Sequence, residues 1–331
     1  MNLVNLPKIE LHCHLDGSVR PETIIDIAKK EGISIPSYDI EAVKDMLIAP
    51  LECTSLVEYL KRFEIPIKIM QSEESLRRIS YELLEDVSKE NIKYIEVRFA
   101  PLLHMEKGLT VEEIIESVLN GMKEAEEKFD VKGNLILSCL RNMPVDTTYD
   151  VIESGKKFLR KGVVAIDLAG AEGEGFAKEF VEPIELARKY GYRVTIHAGE
   201  TGIGKNVLEA IQLLKAERIG HGVFIKDHKE AYDLVKDQGI VLEMCPTSNV
   251  QTKAVDYYKN HPIYDFHKDK IKVTLNTDNR TVSDTTLSKE YHAVSKAFEM
   301  TYEDYKEIYY NSIDASFADL ETKKKLKEYM K

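Results

Sequence analysis

No apolar run in this chain approaches the roughly 18–20 residues that cross a bilayer, so a membrane-spanning protein is not expected. The first residues carry one lysine and no apolar core of the signal-peptide kind, which argues against secretion. Cysteine is scarce: Cys13, Cys53, Cys139 and Cys245 stand apart without CxxC spacing, as reduced thiols of a cytoplasmic protein do. Basic residues are outnumbered, with 46 Lys and Arg against 57 Asp and Glu and a net charge of −11. A surface of that sign repels polyphosphate and anionic lipid, so neither a nucleic-acid nor a membrane partner is expected. A neutral small molecule is the easier substrate. There is no internal repeat, no low-complexity stretch and no linker marking a second domain, so residues 1–331 are read as one domain. Nothing in the sequence fixes an oligomeric state.

What the chain has is alternation. Short apolar strands are read at residues 8–14, 92–100, 133–140, 163–169, 192–198, 218–221, 240–245 and 271–277, with amphipathic helices between them. In the clearest helix, Val111, Ile114, Ile115, Val118, Leu119, Met122, Ala125 and Phe129 fall on one face. Leu76, Ile79, Leu83, Leu84 and Val87 mark another. Eight strands alternating with helices imply a parallel sheet, and eight strands close a (β/α)8 TIM barrel. An open doubly wound sheet is the runner-up. The first crossover is far longer than usual. Its residues, about 17–91, look helical and include a run from Ser55 to Phe63. This helical insertion between strands 1 and 2 is read as a lid over the mouth of the barrel, with a packing appendage at the rim as the equal alternative.

Side chains on a strand alternate faces, so His12 and His14 share a face with Glu10, while Ile9, Leu11 and Cys13 pack oppositely. Arg193, Thr195 and His197 oppose Val194, Ile196 and Ala198. Thr274, Asn276 and Asp278 oppose Ile271, Val273 and Leu275. Four strand ends thus carry chemistry: His12 and His14, His197 with Glu200, His221, and Asp278, flanked by Asp16 and Asn279. Each piece has a plain structural reading. One HxH pair is weak, a lone strand histidine is usually a core residue, and Glu200 suits the first turn of a helix. His221 between two glycines suits a tight turn, and Asp278 suits a helix cap or a partner for Arg218. All of these holding at once, in order, at strand ends is improbable. Three imidazoles and a carboxylate for a metal, plus a carboxylate and an imidazole for proton transfer, suit metal-assisted hydrolysis. His104, His228, His261, His267 and His292 lack strand-end placement and are read as surface residues. Gly199 to Asn206 nearly fits the phosphate-binding GxxxxGK[ST] loop, but Asn206 lacks the required hydroxyl. The glycines of Gly170–Gly175 suit a loop whose backbone amides approach a ligand.

The segments Glu10–Gly17 (ELHCHLDG), Ile95–Arg98 (IEVR), Asp167–Gly170 (DLAG), His197–Glu200 (HAGE), Arg218–Gly222 (RIGHG), Cys245-Pro246 and Asn276–Asp278 (NTD) resemble, in order and spacing, the adenosine deaminase family of the amidohydrolase superfamily. The resemblance extends over essentially the whole chain. It implies a (β/α)8 barrel holding one Zn2+ on His12, His14, His197 and Asp278. It implies that Glu200 gives a proton to purine N1, that His221 handles the proton of the attacking water, and that Gly170 presents its amide to N3. By the same resemblance Asp16 contacts the ribose, and Tyr59, Leu60 and Phe63 form an apolar lid. The implied reaction converts adenosine, and 2′-deoxyadenosine, to inosine and ammonia in purine salvage. Adenine or another aminopurine is the alternative substrate. Adenine-specific relatives tend to carry Glu at the position of Asp16. Protonation of N1 requires Glu200 to begin as the neutral acid, so burial is expected to raise its pKa. One departure stands out: where many members have a second Asp and then Pro after the metal-binding Asp, this chain has Asn279-Arg280. An amide donates to purine N7 without needing a proton of its own.

Overall fold

The computed structural model describes residues 5–51 and 53–330. Eight strands run in parallel and pair in sequence order: β1 (Lys8–His14), β2 (Ile92–Phe99), β3 (Lys132–Leu140), β4 (Val163–Ala169), β5 (Arg193–Ala198), β6 (Arg218–His221), β7 (Val241–Met244) and β8 (Val273–Leu275). This is the (β/α)8 barrel, not the open sheet. The outward residues of β1, Ile9, Leu11 and Cys13, are buried beneath helices, and Glu10 and His12 are buried on the other face. The helices Glu73–Lys89 and Val111–Glu126 carry the apolar stripes noted above and pack on each other. Each begins with a capping box, Ser72 with Ser75 and Thr110 with Glu113. All four cysteines are buried and unpaired by disulfide. Among the described residues no helix is long and apolar enough to cross a membrane.

The barrel closes unusually. The β8–β1 seam has one bridge, Cys13 with Asp278, instead of a ladder. Backbone bonds run from His14 N–H to the Asp278 carbonyl (2.7 Å) and from Asp278 N–H to that of His12 (2.9 Å). Below them side chains replace the backbone. Leu11 N–H donates to Asn276 Oδ1 at 3.0 Å, and Thr277 N–H donates to Glu10 Oε2 at 3.1 Å. This is why β8 stops short of residue 277 read from the sequence; it also begins two residues later than read, at Val273.

Other expectations need correction. Arg193 does not enter the barrel; as the first residue of β5 it is exposed and pairs with Glu217. Arg218 does not pair with Asp278 but with Glu96 and Glu243, at 2.6 Å each. His104, His261 and His267 are buried, not on the surface. His104 stacks on Phe99, His267 bonds Asp304 at 3.0 Å, and His261 joins a chain described below. Half-buried His228 caps the helix Lys229–Gln238, while His292 is exposed as expected.

Candidate active site

The carboxyl ends of the strands surround a cavity of about 320 Å³, within the range of small-molecule sites. His14, Asp16, Gly170, His197, Glu200, His221, Asp278 and Asn279 line it, and His12 lies directly beneath. From the long first crossover, Leu56, Tyr59, Leu60, Phe63 and Ile67 cover it with apolar surface. The run from Ser55 is a short helix, Leu56–Leu60, tightening into a 3-10 turn at Lys61–Phe63. Tyr59 is anchored by its hydroxyl, 2.7 Å from Ser283 Oγ.

Two strand-end residues, His221 (φ 64°) and Asp278 (φ 60°), adopt the left-handed conformation that side chains ordinarily avoid. Such strain persists only where the surroundings impose it. Here it turns both side chains toward the cavity floor. Space is made by glycine: a Cβ at Gly220 would lie 2.9 Å from His12 Cε1, and one at Gly17 would collide with Asn279 Oδ1 at 1.9 Å.

The imidazole tautomers are set by carboxylates. His12 Nδ1–H donates to Glu243 Oε2 and His197 Nδ1–H to Asp167 Oδ1, both at 2.9 Å. Each ring therefore directs a bare Nε2 inward, and that of His12 is buried without a hydrogen-bond partner. Burial lowers the His12 pKa to about 4, so the ring is neutral at pH 7. His14 Nε2 lies 3.3 Å from both His197 Nε2 and Asp278 Oδ1, and His12 Nε2 lies 3.4 Å from Asp278 Oδ1. Four ligands at bond lengths of about 2.0–2.1 Å around a tetrahedral cation stand about 3.3–3.4 Å apart. The donor set fits a metal ion. Donor atoms of His12, His197, His221 and Asp278 also lie within 4.8 Å of one another, so five groups face the same point.

Glu200 is buried beside them, its Oε2 3.6 Å from His221 Nε2. Desolvation pushes its carboxyl above the ordinary range, with Asp278 and Glu172 reinforcing the rise and His221 opposing it. Glu172 also shapes the loop. Its carboxylate accepts from the amides of Gly199 (2.8 Å), Glu200 (2.7 Å) and Thr201 (3.2 Å), and from Asn206 Nδ2 at 2.9 Å. Those amides are thereby occupied by an anion of the protein, which removes the phosphate-loop reading. Glu172 and Asn249 gave no signal as site residues in the sequence; Asp167 stood in a resembling segment with no role attached, and Glu243 showed only as a charge inside a four-residue buried strand.

The fold and this mouth define a barrel hydrolase. The adenosine deaminase family matches residues 7–331. An adenosine deaminase of Clostridium perfringens is 62% identical over 327 residues, covering 99% of this chain and 98% of the relative. Among solved structures, an adenine deaminase from Arthrobacter aurescens superposes with a TM-score of 0.90 at 27% identity, covering 98% of each chain. An amidohydrolase from Burkhoderia ambifaria with bound Zn superposes with a TM-score of 0.87 at 26% identity, covering 98% of this chain and 89% of that one. The chain belongs to the adenosine deaminase family.

Proposed function

We propose that this chain is a zinc-dependent enzyme converting adenosine and 2′-deoxyadenosine to inosine and ammonia, acting in the cytoplasm in purine salvage. The observation that carries this reading is the convergence of bare imidazole nitrogens, Asp278 and a buried carboxylic acid at the floor of one apolar cavity. We assign His12, His14, His197 and Asp278 to the cation, because their contacts of 3.3–3.4 Å match a tetrahedron while His221 Nε2 faces Glu200. A bound divalent cation supplies a nucleophile at neutral pH by acidifying water from a pKa of 15.7 to about 7.

The protein's own groups do the rest. Attack at C6 moves electron density onto N1, and Glu200, whose carboxyl burial pushes above the ordinary range, delivers a proton there. His221 orients the attacking oxygen. Asp16 has a buried, unpartnered Oδ1, and its pKa is raised to about 6 by burial. A ribose hydroxyl supplies the missing donor, which favours a nucleoside over a free base. Gly170 (φ 90°) presents its amide to N3 at the cavity wall. The helical insertion between β1 and β2, within the single domain 1–331, acts as a lid that excludes water through Tyr59, Leu60 and Phe63. The test is the change in ultraviolet absorbance when metal-loaded protein meets adenosine, 2′-deoxyadenosine or adenine. Turnover of both nucleosides is expected, and turnover of adenine alone overturns the assignment.

Two variants probe the parts separately. Asn279 is buried and lines the cavity, where its side-chain amide N–H would donate to purine N7. Asn279→Leu is expected to weaken nucleoside binding by about 10- to 100-fold, the cost of one lost buried hydrogen bond, while metal content stays at wild type. Unchanged KM would remove the N7 role. Asp167→Asn takes the charge from the group that orients His197. A drop of about 10- to 100-fold in metal affinity is expected, read by competition with a chromogenic chelator.

A further inference from the structure

Beyond the cavity, a chain of hydrogen bonds runs from a backbone amide to His221. Its direction can be read from one end. Ile263 N–H lies 3.2 Å from His261 Nδ1, and an amide only donates, so that nitrogen is bare. Burial pushes the His261 pKa down to about 3, leaving one ring proton at neutral pH, on Nε2. Nε2 is 3.0 Å from Asn249 Oδ1, which accepts it. The carboxamide is planar, and its Nδ2 then faces His221 Nδ1 at 3.0 Å. An amide nitrogen cannot accept, so His221 Nδ1 accepts. All three side chains are buried, so water offers no substitute. Turning Asn249 over would set its NH2 against His261 N–H and its oxygen against His221 Nδ1. Switching the tautomer of His261 would set an N–H against the Ile263 amide.

We propose that Asn249 and His261 are positioning residues that hold the ring proton of His221 on Nε2, directed at the reacting centre. This rests on the deaminase reading for its catalytic meaning, but the proton's location does not depend on it. The proposal goes further than assigning His221 to the site: it makes His221 a hydrogen-bond donor toward an oxygen there, and it accounts for His221 standing outside the cation's ligand set, since a protonated Nε2 has no lone pair to give. The short helix Pro246–Gln251 carries Asn249 and, beside it, Ser248, which faces Asp278. Ser248 Oγ donates to Asp278 Oδ2 at 2.5 Å, and the next residue, Asn249, reaches His221. Neither His261 nor Asn249 lines the cavity, so substitutions there act through His221.

Nitrogen NMR of zinc-loaded protein labelled with 15N-histidine separates bare from protonated ring nitrogens, and a His221→Gln sample assigns the signals. In the wild type, His221 is expected to show a bare Nδ1 and a protonated Nε2. Asn249→Asp replaces the donor by an acceptor and should move a proton to Nδ1, lowering kcat at least about tenfold with KM and zinc content little changed. His261→Gln keeps a side-chain N–H in reach of Asn249 and should retain most of kcat, whereas His261→Phe should not. A protonated Nδ1 in the wild type overturns the proposal, and so does Asn249→Asp with wild-type kcat and an unmoved proton. Should Asn249→Asp fail to fold, the wild-type spectrum still decides. An Nε2–H tautomer in a protein that leaves adenosine untouched would sink the deaminase reading and spare the relay. Deamination with the proton on Nδ1 would do the reverse.

Discussion

Glu200→Gln is expected to lower kcat by about 10³-fold, within the range for losing a general acid, while leaving metal content and nucleoside binding near wild type. Glutamine fills the same space and keeps a hydrogen-bonding amide, but it has no proton to deliver. The loop should not move, because Glu172 holds it through the backbone amides of residues 199–201, which the substitution leaves in place. A second signature follows from the raised pKa. A carboxyl whose folded pKa exceeds its unfolded value contributes stability that is present below the unfolded value and lost as pH rises through the folded one. The wild type should therefore lose stability toward alkaline pH relative to Glu200→Gln, which has no proton to shed. Thermal denaturation of both proteins across pH measures the difference. Parallel curves, or a variant with undiminished kcat, would exclude Glu200 as the acid.

Removing the metal should abolish turnover and lower the melting temperature together. The interior explains the coupling. Glu96, Glu243 and Asp167 pair with the guanidinium groups of Arg98 and Arg218, and Asp278 adds a buried carboxylate that meets only imidazoles among the ion pairs of the described residues. Glu10 adds none at neutral pH, because burial pushes its pKa up to about 8. A divalent cation held there would answer the Asp278 carboxylate. It would also satisfy the nitrogen lone pairs that face one another there. With free metal about 1,000-fold above its dissociation constant, the loss on stripping is about 4 kcal/mol. Dialysis against a chelator, followed by metal analysis, calorimetry and readdition of Zn2+, tests both halves. Turnover surviving in protein shown to be metal-free would refute the assignment.

The strand ends were legible because a period of two places polar residues on one face, and an apolar strand leaves few reasons for His or Asp at its end. Seven strands fall within about a residue of their sequence reading, and β8 fails where Asn276 and Glu10 take over from the backbone. The orienting shell was not legible. Asp167 meets His197 across neighbouring strands, and Glu243 reaches His12 across the barrel. Glu172 acts from a different loop than the one it shapes. His261 was misread for the same reason: its partner Asn249 lies on another element, and isolated polar residues between helices look alike whether or not they are covered. Periodicity reports the face a residue points to, and pairing between distant segments has no period.

The seam between the first and last strands has a consequence of its own. With one bridge in place of a ladder among the described residues, it is the place where the cylinder would part most easily, and His12 and Asp278 sit on its opposite lips. An ion held by both, as proposed, would act like a clasp between segments far apart in the polypeptide, removing freedom from the unfolded coil much as a long-range cross-link does. Deuterium uptake at the amides of Leu11 and Thr277, which lean on side chains across that gap, should quicken when the clasp is taken away.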